Sequence, residues 1–190
     1  MRDDGVSIRP ARRVDEELVA LQRVELEAGR LFVDVGMPEI AGDEPPSLDE
    51  LRAAPALLVA VDAGGRPVGY ARIEIVDGHA HLEQLSVVPT FGRRGIGARL
   101  LDEVAAWARD RGDVEVTLTT FRDVPFNGPY YRRHGYVEVL PDRRGPELAD
   151  LVATEASHGL DPEQRITMHR PLDGDPERAT GPGGAGRPSR

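Results

Sequence analysis

The stretch His79-Ala80-His81-Leu82-Glu83-Gln84-Leu85-Ser86-Val87-Val88-Pro89, continued by Thr90-Phe91-Gly92-Arg93-Arg94-Gly95-Ile96-Gly97-Ala98-Arg99-Leu100-Leu101, decides how this chain is organised. Its first part predicts a strand from His79 to Val88, with apolar residues at Ala80 and Leu82 and again at Leu85 and Val87. The alternation slips by one position between Leu82 and Leu85. A strand that keeps its core face through such a slip carries an extra residue, so the spacing predicts a β-bulge. The competing reading has Gln84 or Ser86 pointing inward with a partner. The second part is a Gly- and Arg-rich loop that opens a helix from about Gly95 to Arg111. Ile96, Leu100, Leu101, Val104, Ala105 and Ala108 form its apolar stripe, and Gly112 ends it.

Upstream, a short strand runs from Val6 to Arg9 and stops at Pro10. Asp15 is placed to cap a helix reaching about Gly29, with Leu18, Leu21, Val24 and Leu26 as its apolar positions. Residues from Phe32 to Pro46 read as a loop. Ser47, with Glu50 three residues on, has the pattern of a capping box before a short helix. Strands Leu57 to Asp62 and Val68 to Val76 follow, joined across Gly64 and Gly65. Asp77-Gly78, flanked by Val76 and His79, predicts a hairpin because both residues tolerate positive φ. Downstream come a strand from Val114 to Thr120 and a short helix over about Asn127 to Arg133, ended by Gly135. A strand from Tyr136 to Leu140, a small helix near Pro146 to Ala156 and a last strand from Arg165 to His169 complete the order. The fold class is α/β, with a mixed central sheet of about six to seven strands flanked by helices, antiparallel early and helix-connected later. The ordered domain is expected over 6–171. Residues 172–190, rich in glycine and proline and without apolar period, are expected to form a disordered tail.

A loop of glycines between a strand and a helix leaves amide N–H groups open at the positive end of the helix dipole, and such a place binds phosphate. Arg93 and Arg94 add charge there. A P-loop would need Lys and Ser/Thr after the last glycine, and neither follows. A dinucleotide site would need a third glycine and a first strand before it, whereas this loop follows a meander. The pyrophosphate of coenzyme A is the ligand class left, and a purely structural turn is the other reading of such a loop.

The run Leu82 to Pro89 followed by Gly92 to Leu101 resembles the signature of the GNAT acetyltransferase superfamily. That signature is Val-x-Pro, then Arg/Gln-x-x-Gly-x-Gly/Ala, then a Leu-rich helix. Asn127-Gly128-Pro129-Tyr130-Tyr131-Arg132-Arg133-His134-Gly135-Tyr136 resembles the second motif of the family, in which an Asn precedes Tyr-x-x-x-Gly-Phe/Tyr. Order and spacing agree over about Ile8 to Leu140. One departure is Gly92, which stands where the family carries Arg or Gln.

The resemblance implies a GNAT fold whose sheet splays at the bulge in the fourth strand. It implies acetyl-CoA as cosubstrate, its pyrophosphate on the Gly95 to Ala98 segment (Gly95, Ile96, Gly97, Ala98) with Arg93 and Arg94. The backbone of Leu85, Ser86 and Val87 would pair with the pantetheine arm, and Asn127 would bond the cofactor further along. Tyr131 matches the position of the general acid near the sulfur. Tyr130 fits the spacing to Gly135 less well. Glu83, just before the bulge, is the expected general base, since the following strand offers only Glu115 among carboxylates. A carboxylate needs burial or a water relay to take a proton from an ammonium.

Composition narrows the rest. The chain of 190 residues has no cysteine, which excludes disulfides, thiolate zinc sites and a cysteine nucleophile. No run approaches the ~18 apolar residues of a membrane span. The charged start at Arg2, Asp3 and Asp4 does not resemble a signal peptide, so a cytoplasmic location and no membrane partner are expected. A net charge of −9 argues against nucleic acid and mildly favours a cationic amine, although its first effect is solubility. His79 and His81 read as sheet-surface or substrate-side residues, because a metal pair lacks a third ligand, and no metal is expected. Trp107 reads as helix packing. The reading is N-acetyl transfer to a primary amine, carried by a small molecule or a peptide, by direct attack in a ternary complex. A homodimer is common in proteins that look like this one. The rivals are a non-catalytic acyl-CoA-binding module and an enzyme using a longer acyl group.

Overall fold

The computed structural model describes residues 5–172. Strand β1 (Ser7–Pro10) leads to helix α1 (Asp15–Gly29). Short helices α2 (Leu31–Asp34), α3 (Pro38–Ala41) and α4 (Leu48–Ala53) follow. Strands β2 (Ala56–Val61), β3 (Pro67–Val76) and β4 (His79–Val87) form the meander, with register Ala56↔Ile73 in the first pair and Val76↔His79 in the second. Asp77 (φ 51°) and Gly78 (φ 81°) make the turn that the sequence predicts. Helix α5 (Ile96–Arg111) crosses to β5 (Glu115–Phe121), which lies parallel to β4. Helix α6 (Gly128–Arg133), β6 (Val137–Glu138), α7 (Pro146–Ser157) and β7 (Arg165–Pro171) end the described chain.

The seven strands lie in the order β1-β2-β3-β4-β5-β7-β6. All six residues of β2 are buried, so both faces of the sheet are covered. Helix α1 inserts Leu18, Leu21 and Val24, and α5 inserts the six apolar residues of its predicted stripe. Ser47 and Glu50 form the reciprocal capping box at α4. Among the described residues no helix is long and apolar enough to cross a membrane.

Six local expectations need correction. Asp15 is the first residue of α1; the N-cap is Val14 and makes no side-chain bond. Leu26 is exposed, one position beyond the buried stripe. The predicted loop from Phe32 contains α2 and α3, held by the edge-on packing of Phe32 on Phe121 and Phe126. The strand from Tyr136 shrinks to two residues, and Val114 is exposed outside β5. Leu172, assigned to the tail, is buried, and its N–H donates to Val114 O. The expectation for 173–190 lies outside the described residues.

Candidate active site

The site begins where the sheet opens. Strands β4 and β5 share only two rungs, Ala80↔Val116 and His81↔Thr117. Beyond His81 the strands part, while β4 stays paired to β3 through Val87. Ile73 faces Leu82 and Arg72 faces Gln84, so Glu83 has no partner on β3. This is the bulge predicted from the alternation slip. Leu85, Ser86 and Val87 pair with Ala71, Tyr70 and Gly69 along one edge of β4, and among the described residues no strand lies along the other. An unpaired strand edge offers N–H and C=O groups to any extended chain laid beside it.

At the far end of that edge lies the Gly-rich loop. Gly95 (φ 78°) caps α5 in the left-handed region, which a side chain resists. No side chain caps the helix, so the amides of its first turn, at Ile96, Gly97 and Ala98, are free to meet an anion. The Ile96 side chain itself is buried in the core, and only its backbone serves the loop. Arg94 folds back, its guanidinium 4.7 Å from the Phe91 ring centre and bonded to Thr90 O at 3.1 Å. Arg93 (φ 58°) stays exposed. A Cβ on Gly97 would stand 2.6 Å from the Tyr130 hydroxyl, which shows how closely α6 sits on the first turn of α5.

Helix α6 carries the aromatic cluster. Tyr131 is buried, with Tyr130 and Tyr136 edge-on at 5.6 and 5.5 Å. Burial, then the neighbouring phenols, raises the Tyr131 hydroxyl well above the ordinary tyrosine range. Burial also pushes Tyr130 up to about 12. Both therefore stay protonated at neutral pH. Asn127 donates from Nδ2 to the Thr120 hydroxyl at 2.9 Å, while its Oδ1 is buried without a partner among the described residues. A buried carbonyl oxygen without a donor is costly, and a ligand N–H would satisfy it.

Glu83 stands at the mouth of the fork. Its Oε1 lies 3.3 Å from Arg72 Nη2, and its Oε2 lies 3.8 Å from His81 Nε2. It lines a recess of about 220 Å³ with Glu25, Glu44, Pro46, Glu50, Arg72 and Gln84. Burial raises the Glu25 carboxyl, against the bond it accepts from the Tyr70 hydroxyl. A second recess of about 310 Å³ lies by Val35, Phe121 and Gln164. His81 is buried, because the sheet is covered on both faces, so of the two places the sequence left open, sheet surface and substrate side, the first falls. Two contributors escaped the sequence reading, Arg72 from β3 and Glu25 from α1. Only the place of Glu25 beside the Leu21/Val24 stripe hinted that it faces inward. Among the described residues no cluster of three His, Asp or Glu could hold a metal.

The sequence model of the acetyltransferase (GNAT) family matches residues 24–136, from mid-α1 through the fork, the loop and α6. The chain belongs to the GNAT acetyltransferase family. A mycothiol acetyltransferase of Geodermatophilus obscurus is 34% identical over 114 residues, 58% of this chain and 33% of that protein. An uncharacterized N-acetyltransferase of Bacillus subtilis is 29% identical over 96 residues, 50% of this chain and 65% of its own. The chain thus spans from a third to just under two thirds of the length of these curated relatives. The PaiA N-acetyltransferase of Thermoplasma acidophilum, solved in complex with coenzyme A, superposes with a TM-score of 0.62 at 18% identity, covering 87% of this chain and 98% of that one. At that identity the likeness concerns the GNAT fold.

Proposed function

We propose that the protein is an N-acetyltransferase that moves an acetyl group from acetyl-CoA to a primary amine by direct attack. One observation carries this reading: the unpaired edge of β4 runs from the open amides of Ile96, Gly97 and Ala98 to Glu83. A cosubstrate with an anionic pyrophosphate, an amide-bearing arm and a reactive end matches that sequence of features. The amides of Gly95 to Ala98, with Arg93, would hold the pyrophosphate. Leu85, Ser86 and Val87 would pair with the arm, and Asn127 Oδ1 would accept from an N–H. Arg94, folded onto Phe91, would lend its charge at longer range.

Acetyl-CoA, when bound, supplies the acyl group as a thioester. Glu83 takes the proton that the acceptor ammonium must lose, directly or through a water, and Arg72 fixes one of its oxygens. Nitrogen then bonds to the acyl carbon as the carbon–sulfur bond breaks, and the second proton that nitrogen sheds on becoming an amide passes to water. A thiol ionises near 8.5, below a phenol near 10. Burial raises the Tyr131 hydroxyl further. Tyr131 therefore stabilises the departing thiolate by donating a hydrogen bond, and water supplies the proton afterwards. The three glutamates that line the recess with Glu83, namely Glu25, Glu44 and Glu50, suit an acceptor that arrives as a cation.

The test is free-thiol release from acetyl-CoA across a panel of amines, read with a thiol-reactive dye. The chain has no cysteine and gives no background. Amine-dependent release is expected. Tight acetyl-CoA binding with no release on a broad panel would make the non-catalytic binding module the better reading.

A further inference from the structure

His81 and Thr117 form the last rung shared by β4 and β5, so their side chains meet at the apex of the fork. The His81 side chain is 1% exposed. Its Nδ1 lies 2.9 Å from the Thr117 hydroxyl, and its Nε2 faces Glu83 Oε2 at 3.8 Å. Burial, then the charge of Arg165, holds the imidazole down at about 4. The ring is therefore neutral near pH 7 and carries a single N–H, on one nitrogen or the other.

The surroundings choose between the two tautomers. With the proton on Nδ1, Nε2 would turn a lone pair toward the oxygens of an ionised carboxylate. With the proton on Nε2, the Thr117 hydroxyl donates to Nδ1 and the ring presents an N–H to Glu83. Only the second arrangement gives each group a complementary neighbour in a place with little water.

We propose that His81, fixed by Thr117 as the Nε2–H tautomer, is a positioning residue that holds Glu83 Oε2 while Arg72 holds Oε1. The role rests on the reading of Glu83 as the base. Glu83 needs such a clamp, because the bulge removes its ladder partner and its side chain is 34% exposed. A distance of 3.8 Å is longer than a hydrogen bond, and a small rotation of Glu83 or one bridging water closes it. Other charges reach the pair: Glu74 on β3, Glu25 on α1, Glu44 and Glu50 from the recess wall, and Arg165 on β7 toward His81. The negative neighbours repel the Glu83 carboxylate, and an N–H from His81 offsets that repulsion.

Two measurements test this on the full chain. Nitrogen NMR of ¹⁵N-histidine-labelled protein, with His81 assigned by its loss in His81→Gln, should show a neutral Nε2–H tautomer whose Nε2 resonance moves in Glu83→Gln. An Nδ1–H tautomer or an imidazolium at pH 7 overturns the proposal. In the transfer assay, His81→Leu should lower kcat about tenfold, keep the acetyl-CoA KM within about twofold, and move the acid limb of the pH profile upward. His81→Gln, whose amide can supply an N–H near Nε2, should recover most of kcat. Should His81→Leu fail to fold, Thr117→Val is expected to shift the limb the same way. An unmoved profile with no recovery by Gln makes the role merely structural and overturns the proposal. If no amine is acetylated by the unaltered protein, the transfer reading falls while the tautomer still decides the clamp.

Discussion

The guanidinium of Arg72 reaches Glu83 at 3.3 Å across the rung where β3 and β4 lose register. Arg72 pairs with Gln84 in the ladder, so the bulge swings Glu83 out of the sheet and Arg72 follows it with its side chain. A shift of one residue in the backbone thus creates both the exposed carboxylate and its partner. Glu83→Gln keeps the shape and removes the proton acceptor. It should lower kcat by about a hundredfold, within the usual range for a general base, and leave acetyl-CoA affinity unchanged by calorimetry.

Tyr131→Phe removes one hydroxyl from a buried, edge-packed ring and leaves the packing in place. Transfer should fall about tenfold or more in kcat, with acetyl-CoA binding intact. Equal rates in the two proteins would remove Tyr131 from the chemistry.

Gly97→Ala would set a methyl 2.6 Å from the Tyr130 hydroxyl, so the Tyr130 ring or the first turn of α5 must shift. Acetyl-CoA binding is expected to weaken severalfold. Adding Tyr130→Phe, which removes the contacting oxygen, should restore much of it, a coupling that a double-mutant cycle reads directly.

Asp77 ties the hairpin to a distant helix. Its Oδ1 accepts from Glu147 N at 2.9 Å and its Oδ2 from Leu148 N at 3.1 Å, satisfying two amides at the start of α7. Asp77→Ala should cost about 1–2 kcal/mol in urea unfolding, as the loss of a helix cap does. Asp77→Asn should cost less, since one carbonyl oxygen remains to accept.

His81 titrates near 4 when folded and near 6.5 when unfolded. Between those values the unfolded chain binds the extra proton, so its contribution is present above about pH 6.5 and is lost as pH falls toward 4. Relative to His81→Gln, the protein should lose on the order of 3 kcal/mol of stability across that window. Glu25 and Glu74, whose carboxyls are raised by burial, act in the opposite sense, and they cancel in the comparison of the two proteins.

The parts of the site visible in the sequence are those governed by neighbours along the chain. The slip between Leu82 and Leu85 announced the bulge at Glu83, and the glycines around Ile96 announced the open helix start. For His81 the sequence left sheet surface and substrate side both open, because strand alternation assigns each residue only to a face. It does not say whether a second layer covers that face. The helices α2 and α3, of four residues each, have too few internal bonds to be stable alone. Tertiary contacts hold them: Phe32 of α2 packs on Phe121 and Phe126, about ninety residues away, and α3 packs on α1 and α2.

By itself the sequence determined the local geometry: the Asp77-Gly78 turn, the Ser47/Glu50 capping box, the α5 stripe and the bulge. Each depends on backbone preference or on periodicity within a few residues. Only the tertiary structure decided the insertion of β7 between β5 and β6 and the meeting of Glu83 with Arg72 and His81. These depend on which strands pair across long loops and which faces are covered. Such choices are settled by the burial of the whole core and carry no local signature.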